Sequence, residues 1–355
     1  MTKAGKLRIG IVGAGQVARA RHLPGFLAIP GVEVVGACNL RRESTARVAR
    51  EFGLAKIYGS WGHLVDDDDV DAVVIATYPA LHCPITLAAF DAGKHVLTQG
   101  RMAMNAREAQ RMLDRSLELP HLTAMVAPSP LGMAGDATLR ELVGSGYLGD
   151  LREAHVTGFS PDLADPAAPL AWRQMTRHSG FNTLDLGNLY ESSARWTPPI
   201  RRVFASATKQ IPNRLDLEAG EYARVGTADS VQVITSHKGG ASGSYRLSGV
   251  LWHEAETSVK LFGSAGTLIY DLLADEIRGA PRGQELAPIP IPAARRGGWT
   301  VEADFVAAGR GERPVVRTTF VAGVRAMQFT EAVARSSRHG QPVDLPLQEF
   351  SNPSL

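Results

Sequence analysis

Leu7-Arg-Ile-Gly-Ile-Val-Gly-Ala-Gly-Gln-Val-Ala18 is the stretch on which the fold turns. Leu7 to Val12 is a short apolar run of strand character, and it passes without a spacer into Gly13-Ala-Gly15-Gln16-Val17-Ala18, from which a helical pattern continues to about Ala28. Each position has a physical task. Gly13 permits a tight turn, Gly15 lets a pyrophosphate approach the backbone, and small Ala18 lets helix and strand pack closely. Gln16 and Val17 open the helix, whose N-terminus offers a positive dipole. In this strand–turn–helix setting the pattern predicts a dinucleotide site.

Outward from that site, short apolar runs alternate with helical patterns. Strands are expected at Val32 to Ala37, Ala72 to Ala76 and His95 to Thr98, with an apolar run at Leu122 to Ala127. Helices are expected near Ser44 to Phe52, Ile85 to Ala92 and Ala106 to Leu117. That alternation is the signature of βαβ units, so residues 1–127 read as an α/β Rossmann domain with a doubly wound parallel sheet. The character changes at Ala127-Pro-Ser-Pro130, which cannot continue a central strand. Residues 128–355 form the second domain in this reading. They open with a helix from Asp136 to Ser145 and continue through extended segments at Val231 to Thr235, Ser242 to Val250 and Thr257 to Phe262, which read as antiparallel. The stretches 276–298 and 308–316, rich in Pro, Gly and Arg, read as loops.

Composition excludes several classes. Lys plus Arg against Asp plus Glu is 38 against 36, a net +2, so nothing suggests a nucleic-acid partner. No apolar run reaches the ~18 residues of a membrane span. The glycines at 10, 13 and 15 interrupt what could otherwise pass for a signal peptide. Cys38 and Cys83 are too few for a disulfide scaffold, which makes a cytoplasmic setting the expectation. Asp66 to Asp69 reads as a solvated acidic loop, and no metal site is expected. About 20 residues after the glycines, where an acid grips the ribose in NAD-specific folds, stands Asn39, followed by Arg41 and Arg42. A neutral side chain and two cations suit a 2′-phosphate, so NADP(H) is expected, with NAD(H) as the alternative.

With these features the chain resembles the Gfo/Idh/MocA oxidoreductases. Asp71-Ala-Val-Val-Ile-Ala-Thr77 with Pro79 and His82 is similar to that family's strand followed by ATPxxxH, and Ala92-Gly-Lys-His-Val-Leu97 to its AGKHVL. Leu139 to Gly149, Trp172-Arg173, Asp185-Leu-Gly187, Gly263 to Thr267 and Gly340-Gln-Pro-Val343 follow in the family's order. The resemblance implies a C-terminal α/β domain with an open, mostly antiparallel sheet through which copies assemble as a homo-oligomer, a dimer or tetramer. It also implies hydride transfer between a nicotinamide and a small hydroxyl or carbonyl substrate. Thr77, Pro79, His82 and Gln99 fall on its cofactor positions.

Two of the family's proton-handling residues are absent. Gln99-Gly100-Arg101 stands where the resemblance expects EKP, and Asp185-Leu-Gly-Asn-Leu189 where it expects DxGxH, so Gly100 and Leu189 replace the Lys and the His. In a helix from Asn182 to Trp196, Asp185, Asn188, Leu189 and Ser192 share a face, whereas Tyr190 is turned about 140° from Asp185. The expected catalytic set is therefore Asp185 as a polar or basic group, Asn188 as hydrogen-bond donor, Arg101 as a fixed cation near the nicotinamide end and His178, in the loop ahead of the helix, as an acid or base. The expected activity is that of an oxidoreductase with an altered acid–base set, acting on a sugar-like or anionic substrate. Two alternatives stay open: a catalytically silent nucleotide-binding partner protein, and a lyase, hydrolase or epimerase that uses bound cofactor without net redox.

Overall fold

The computed structural model describes residues 6–128 and 134–350. The Met1 start and the Ser129-Pro130 step, on which two of the sequence readings fall, lie outside them. Contacts divide the chain into two units, Met1–Pro128 with Thr300–Val324, and Ser129–Trp299 with Arg325–Leu355.

The first unit is built on six parallel strands, β1 (Leu7–Val12), β2 (Val32–Cys38), β3 (Lys56–Ile57), β4 (Ala72–Ile75), β5 (His95–Gln99) and β6 (Ala124–Ala127), in the order β3-β2-β1-β4-β5-β6. Ile9, Ile11 and all four residues of β4 are buried, as a parallel sheet covered on both faces requires. Strand order reverses between β1 and β4, which opens a crevice at the carboxyl ends of the strands where α/β folds bind ligands. The first helical segment begins as a π turn at Ala18–His22 and continues as α1 (Leu23–Leu27). α2 (Arg42–Phe52), α3 (Trp61–Val65), α4 (Pro79–Asp91) and α5 (Ala106–Glu118) follow. α4 starts six residues before the expected Ile85. Pro79 occupies its first turn, where a missing N–H costs nothing, and Pro84 lies inside it, so the pattern reads as a boundary where there is none.

The second unit carries α6 (Asp136–Gly144), α7 (Thr176–Ser179), α8 (Leu186–Ser193) and a nine-stranded sheet. Its strands are β7 (Leu151–Phe159), β8 (Ile200–Thr208), β11 (Ser230–His237), β12 (Ser242–Ser248), β13 (Glu256–Gly263), β14 (Gly266–Asp271), β15 (Glu276–Pro281), β16 (Ala287–Ile289) and β17 (Val343–Asp344). β9 (Asn213–Asp216) and β10 (Glu221–Arg224) form a separate hairpin. The order is β16-β15-β14-β13-β7-β12-β11-β8-β17, antiparallel except for the β7–β12 pair. In β11, Val231, Val233, Thr235 and His237 are buried while Gln232, Ile234 and Ser236 are exposed, so one face is covered and the other open.

Two sequence expectations are corrected. Residues 276–281 and 287–289 are strands, not loop: Ile277 and Ala280 are buried, and Pro and Gly are tolerated because the segment nears the sheet's edge. Segment 300–324, placed in the second domain by a single cut at 127, clusters with the first unit, where Val126 N–H donates to the Thr318 carbonyl at 2.8 Å. That segment contains α9 (Val301–Gly309) and the start of α10 (Phe320–His339).

Candidate functional site

The glycine loop follows β1. Gly13 has φ +87°, and a Cβ there would stand 2.6 Å from the Ala76 carbonyl, so no other residue fits without moving backbone. A Cβ on Gly15 would meet nothing within 4 Å, which leaves the loop open on that side. Gln16 and Val17 are exposed and Ala18 is buried. Asn39, just past β2, bolts this loop to the next one. Its Oδ1 accepts the Ala14 N–H at 2.7 Å, its Nδ2 donates to Ser44 Oγ at 2.8 Å, and its backbone N–H donates to Thr45 Oγ1 at 3.0 Å. Arg41, extended, caps α2, Arg42 opens it, and both are exposed. A cleft of about 440 Å³ runs along Gly15, Gln16, Arg19, Ser44 and Arg47, with Arg19 paired to Glu51 at 2.7 Å. Backbone N–H groups, an open glycine and nearby guanidiniums form a donor set that fits the phosphates of a dinucleotide.

At the ends of β4 and β5, His82 is 1% exposed and faces backbone carbonyls on both sides. Nε2 lies 3.1 Å from the Thr77 carbonyl, and Nδ1 lies 3.1 and 3.3 Å from those of Arg101 and Met102. Burial holds its pKa down to about 4 against the pull of hydrogen bonding to those carbonyls, which favours the protonated ring. A neutral imidazole carries one N–H, so the ring donates to one side and packs against the other, between the loop after β4, which carries Thr77 and the first-turn Pro79, and the turn after β5, which carries half-buried Arg101. Beside it, Gln99 Nε2 lies 2.9 Å from His22 Nε2, and His22 Nδ1 lies 2.6 Å from Glu302 Oε1.

In the second unit Asp185 is the N-cap residue of α8, exposed, and its Oδ1 accepts from Asn188 Nδ2 at 3.1 Å. The helix is shorter than expected, and the face shared with Leu189 and Ser192 is not polar throughout. Leu189 is 1% exposed, its Cδ1 lies 2.7 Å from where a Cβ on Gly158 of β7 would stand, and buried Ser192 donates to the Asn188 carbonyl at 3.0 Å. Tyr190 stacks on Phe329 at 4.4 Å. His178, in α7, is half-buried, and burial, then Arg177, lower its pKa. The structure therefore brings together Gly13, Gly15 and Asn39, then Thr77, His82 and Arg101, in the first unit, and Asp185 with Asn188 in the second.

Sequence reasoning missed three groups. His22 and Glu302 are 280 positions apart, and the only local signal was a glycine, Gly25, inside a helical pattern. Arg214, 1% exposed, donates to the Leu163, Asp165 and Ala168 carbonyls and so holds a loop in the 160–180 stretch that carried no readable pattern.

Residues 7–125 match the model of an oxidoreductase family with an NAD-binding Rossmann fold, and residues 137–269 match that of the GFO/IDH/MocA C-terminal domain. The chain is 25% identical over 387 residues to levoglucosan dehydrogenase of Pseudarthrobacter phenanthrenivorans, covering 96% of this chain and 98% of that one. It is 30% identical over 246 residues to trans-1,2-dihydrobenzene-1,2-diol dehydrogenase of Mus musculus, covering 68% of each. A solved structure of levoglucosan dehydrogenase in complex with NADH and L-sorbose superposes with a TM-score of 0.84 at 22% identity, over 96% of this chain and 99% of that one, and so shares its fold.

Proposed function

The chain belongs to the Gfo/Idh/MocA oxidoreductases, and on that premise we propose that it is an NADP(H)-dependent oxidoreductase acting on a small hydroxyl or carbonyl substrate, sugar-like or anionic, with an altered acid–base set. The observation that carries this reading is the glycine loop, open at Gly15 and fixed by Asn39 to the loop bearing Arg41 and Arg42. A bound nicotinamide dinucleotide supplies two-electron hydride exchange; the remaining tasks fall to the chain. The loop from Gly13 to Ala18 holds the pyrophosphate. Asn39, whose amide is already bonded within the protein, presents no carboxylate to repel a 2′-phosphate, and Arg41 and Arg42 pair with it.

Oxidation of a hydroxyl would need, from the chain, a base for the O–H proton and a group to steady negative charge on the oxygen. Asp185, oriented by Asn188, takes that proton, and His178, lowered by burial, is the second group able to do so. Arg101 is always charged near neutrality, so it stabilises developing negative charge on oxygen or holds a substrate carboxylate. The relatives' names favour sugar-like substrates. The test is to follow the nicotinamide absorbance with NADPH and NADH against polyols, sugars, ketones and hydroxy acids. A change with at least one class is expected. Absence across the panel with cofactor binding intact leads to the second reading, a silent nucleotide-binding partner protein, which buried Leu189 and Gly100 favour. Turnover without cofactor consumption leads to the non-redox enzyme.

The open sheet face supports a homo-oligomer. It carries exposed Phe204 and Ile234 beside a cleft of about 530 Å³ lined by Glu153, His155, Arg246, Lys260 and Phe262, and light scattering should give a dimer or tetramer mass. Among the described residues no helix is long and apolar enough to cross a membrane, and Cys38 and Cys83 are free and buried, which supports a cytoplasmic setting.

A further inference from the structure

His22 and Glu302 sit in the interior of the first unit, 0% and 4% exposed, with no part in the chemistry proposed above. Three distant segments bring them to Gln99. The π turn ends at His22 and turns its ring inward. Glu302 stands in the first turn of α9. Gln99 is the last residue of β5, at the carboxyl edge of the sheet. The backbone is shaped for this meeting: a Cβ on Gly25 of α1 would stand 2.8 to 3.0 Å from Glu302 Cγ, Cδ and Oε2, so the helix carries a glycine, at a cost of about 0.5–1 kcal/mol, where the carboxylate enters.

The bonds run in one direction. Gln99 Nε2–H donates to His22 Nε2, so the ring's proton sits on Nδ1 and is donated to the Glu302 carboxylate. Burying a carboxylate and an imidazole for packing alone is unfavourable compared with apolar side chains of the same volume, so this trio calls for another explanation. Its outlet supplies one. With Nε2 committed to His22, the Gln99 carboxamide is fixed in rotation and its Oε1 becomes an oriented acceptor at the end of β5. The adenosine half of a dinucleotide lies on the β2 side of the switch point, by Asn39, which leaves the ends of β4 and β5 to the nicotinamide half.

Building on the cofactor reading, we propose that Glu302 and His22 are positioning residues that orient Gln99 to accept a hydrogen bond from the nicotinamide carboxamide. The test is calorimetric titration of the full chain with NADPH or NADH and, in parallel, with ADP-ribose or its 2′-phosphate, which lack the nicotinamide. Gln99→Ala is expected to weaken the dinucleotide about tenfold, and Glu302→Ala about fivefold. Glu302→Gln, which keeps an acceptor for His22 Nδ1–H, is expected to restore binding to within about twofold of wild type. ADP-ribose is expected to bind all variants within about twofold of wild type, a selectivity that a purely structural trio would not produce. Parallel losses for both ligands, or none for the dinucleotide, overturn the proposal. If Glu302→Ala does not fold, His22→Gln, which leaves Gln99 in place without its imidazole acceptor, decides instead: the same loss confined to the dinucleotide is expected, and its absence overturns the proposal. A wild-type chain that binds neither class overturns the cofactor reading itself, and does so before any variant is compared.

Discussion

Asn39 in the first unit accepts from the backbone of a loop distant in sequence, at Ala14, and His82 sits buried between the carbonyl of its own loop at Thr77 and that of the turn at Arg101. Asp185 and Asn188 in the second unit bond each other within one helical turn, and Leu189 beside them is packed under the sheet. The difference is between a site whose shape is written into the backbone and one written into side chains. A dinucleotide always brings the same pyrophosphate, so the loops that hold it are constrained at the level of turns and glycines. Substrates differ among enzymes of one fold, and the side chains facing them vary accordingly.

The largest effects should come from the two glycines, because they separate turn from ligand in a single loop. Gly13→Ala places a methyl on the Ala76 carbonyl at a positive φ, and is expected to cost about 3 kcal/mol of stability and about a hundredfold in dinucleotide affinity. Gly15→Ala meets no protein atom and is expected to stay within about 1 kcal/mol of wild type in denaturant melts while losing at least about tenfold in affinity. Equal losses of stability in the two variants would break the assignment of Gly15 to the ligand.

His82 tests whether the first unit holds a neutral ring buried between its loops. Its pKa falls from 6.5 to about 4 on folding, so the unfolded chain binds the extra proton first. Stability from this group is complete above pH 6.5, declines as pH falls below it, and is gone below about 4, a loss of roughly 3 kcal/mol. His82→Gln should be less stable at neutral pH yet flatter across that window. A wild-type curve already flat between pH 6.5 and 4 contradicts the burial of a neutral ring at this position.

Leu189→His tests the other side of the comparison. It restores the residue type of the family's pattern, but into a buried slot against Gly158, and is expected to lower stability by about 2 kcal/mol without raising turnover. If turnover with a polyol appears instead, the second unit lies one residue from the family's usual proton relay and the contrast collapses.

What was legible in the sequence follows the same division. The alternation of buried runs gave the parallel sheet, because a strand covered on both faces must be apolar throughout. The Gly13–Ala18 pattern gave the loop, because each of its constraints is local. α9 and its Glu302 were not read, since the partners of that carboxylate lie at positions 22 and 99 and nothing near 302 marks them. Strand β15 was hidden by Pro, Gly and Arg, which an outer strand tolerates and a central one would not. Arg214 carried no sign that its guanidinium would be spent on the 163–168 carbonyls, because a lone arginine reads as surface.

The smallest effect sharpens the comparison most. Asn39→Asp is nearly isosteric, and the fold should accept it: one carboxylate oxygen still takes the Ala14 N–H, and Ser44 Oγ, which accepts from Asn39 Nδ2, turns its hydroxyl to donate. What changes is one negative charge at the end of β2, beside exposed Arg41 and Arg42. A 2′-phosphate meets that charge and a free ribose hydroxyl uses it, so the ratio of NADPH to NADH affinity is expected to fall by about tenfold, or roughly 1.4 kcal/mol, with the melting temperature unchanged. Because the site is open, the fall should shrink as ionic strength rises. A ratio that does not move at low salt would mean that Asn39 serves the loop alone, and the proposed preference for NADP(H) would then have to rest on the arginines.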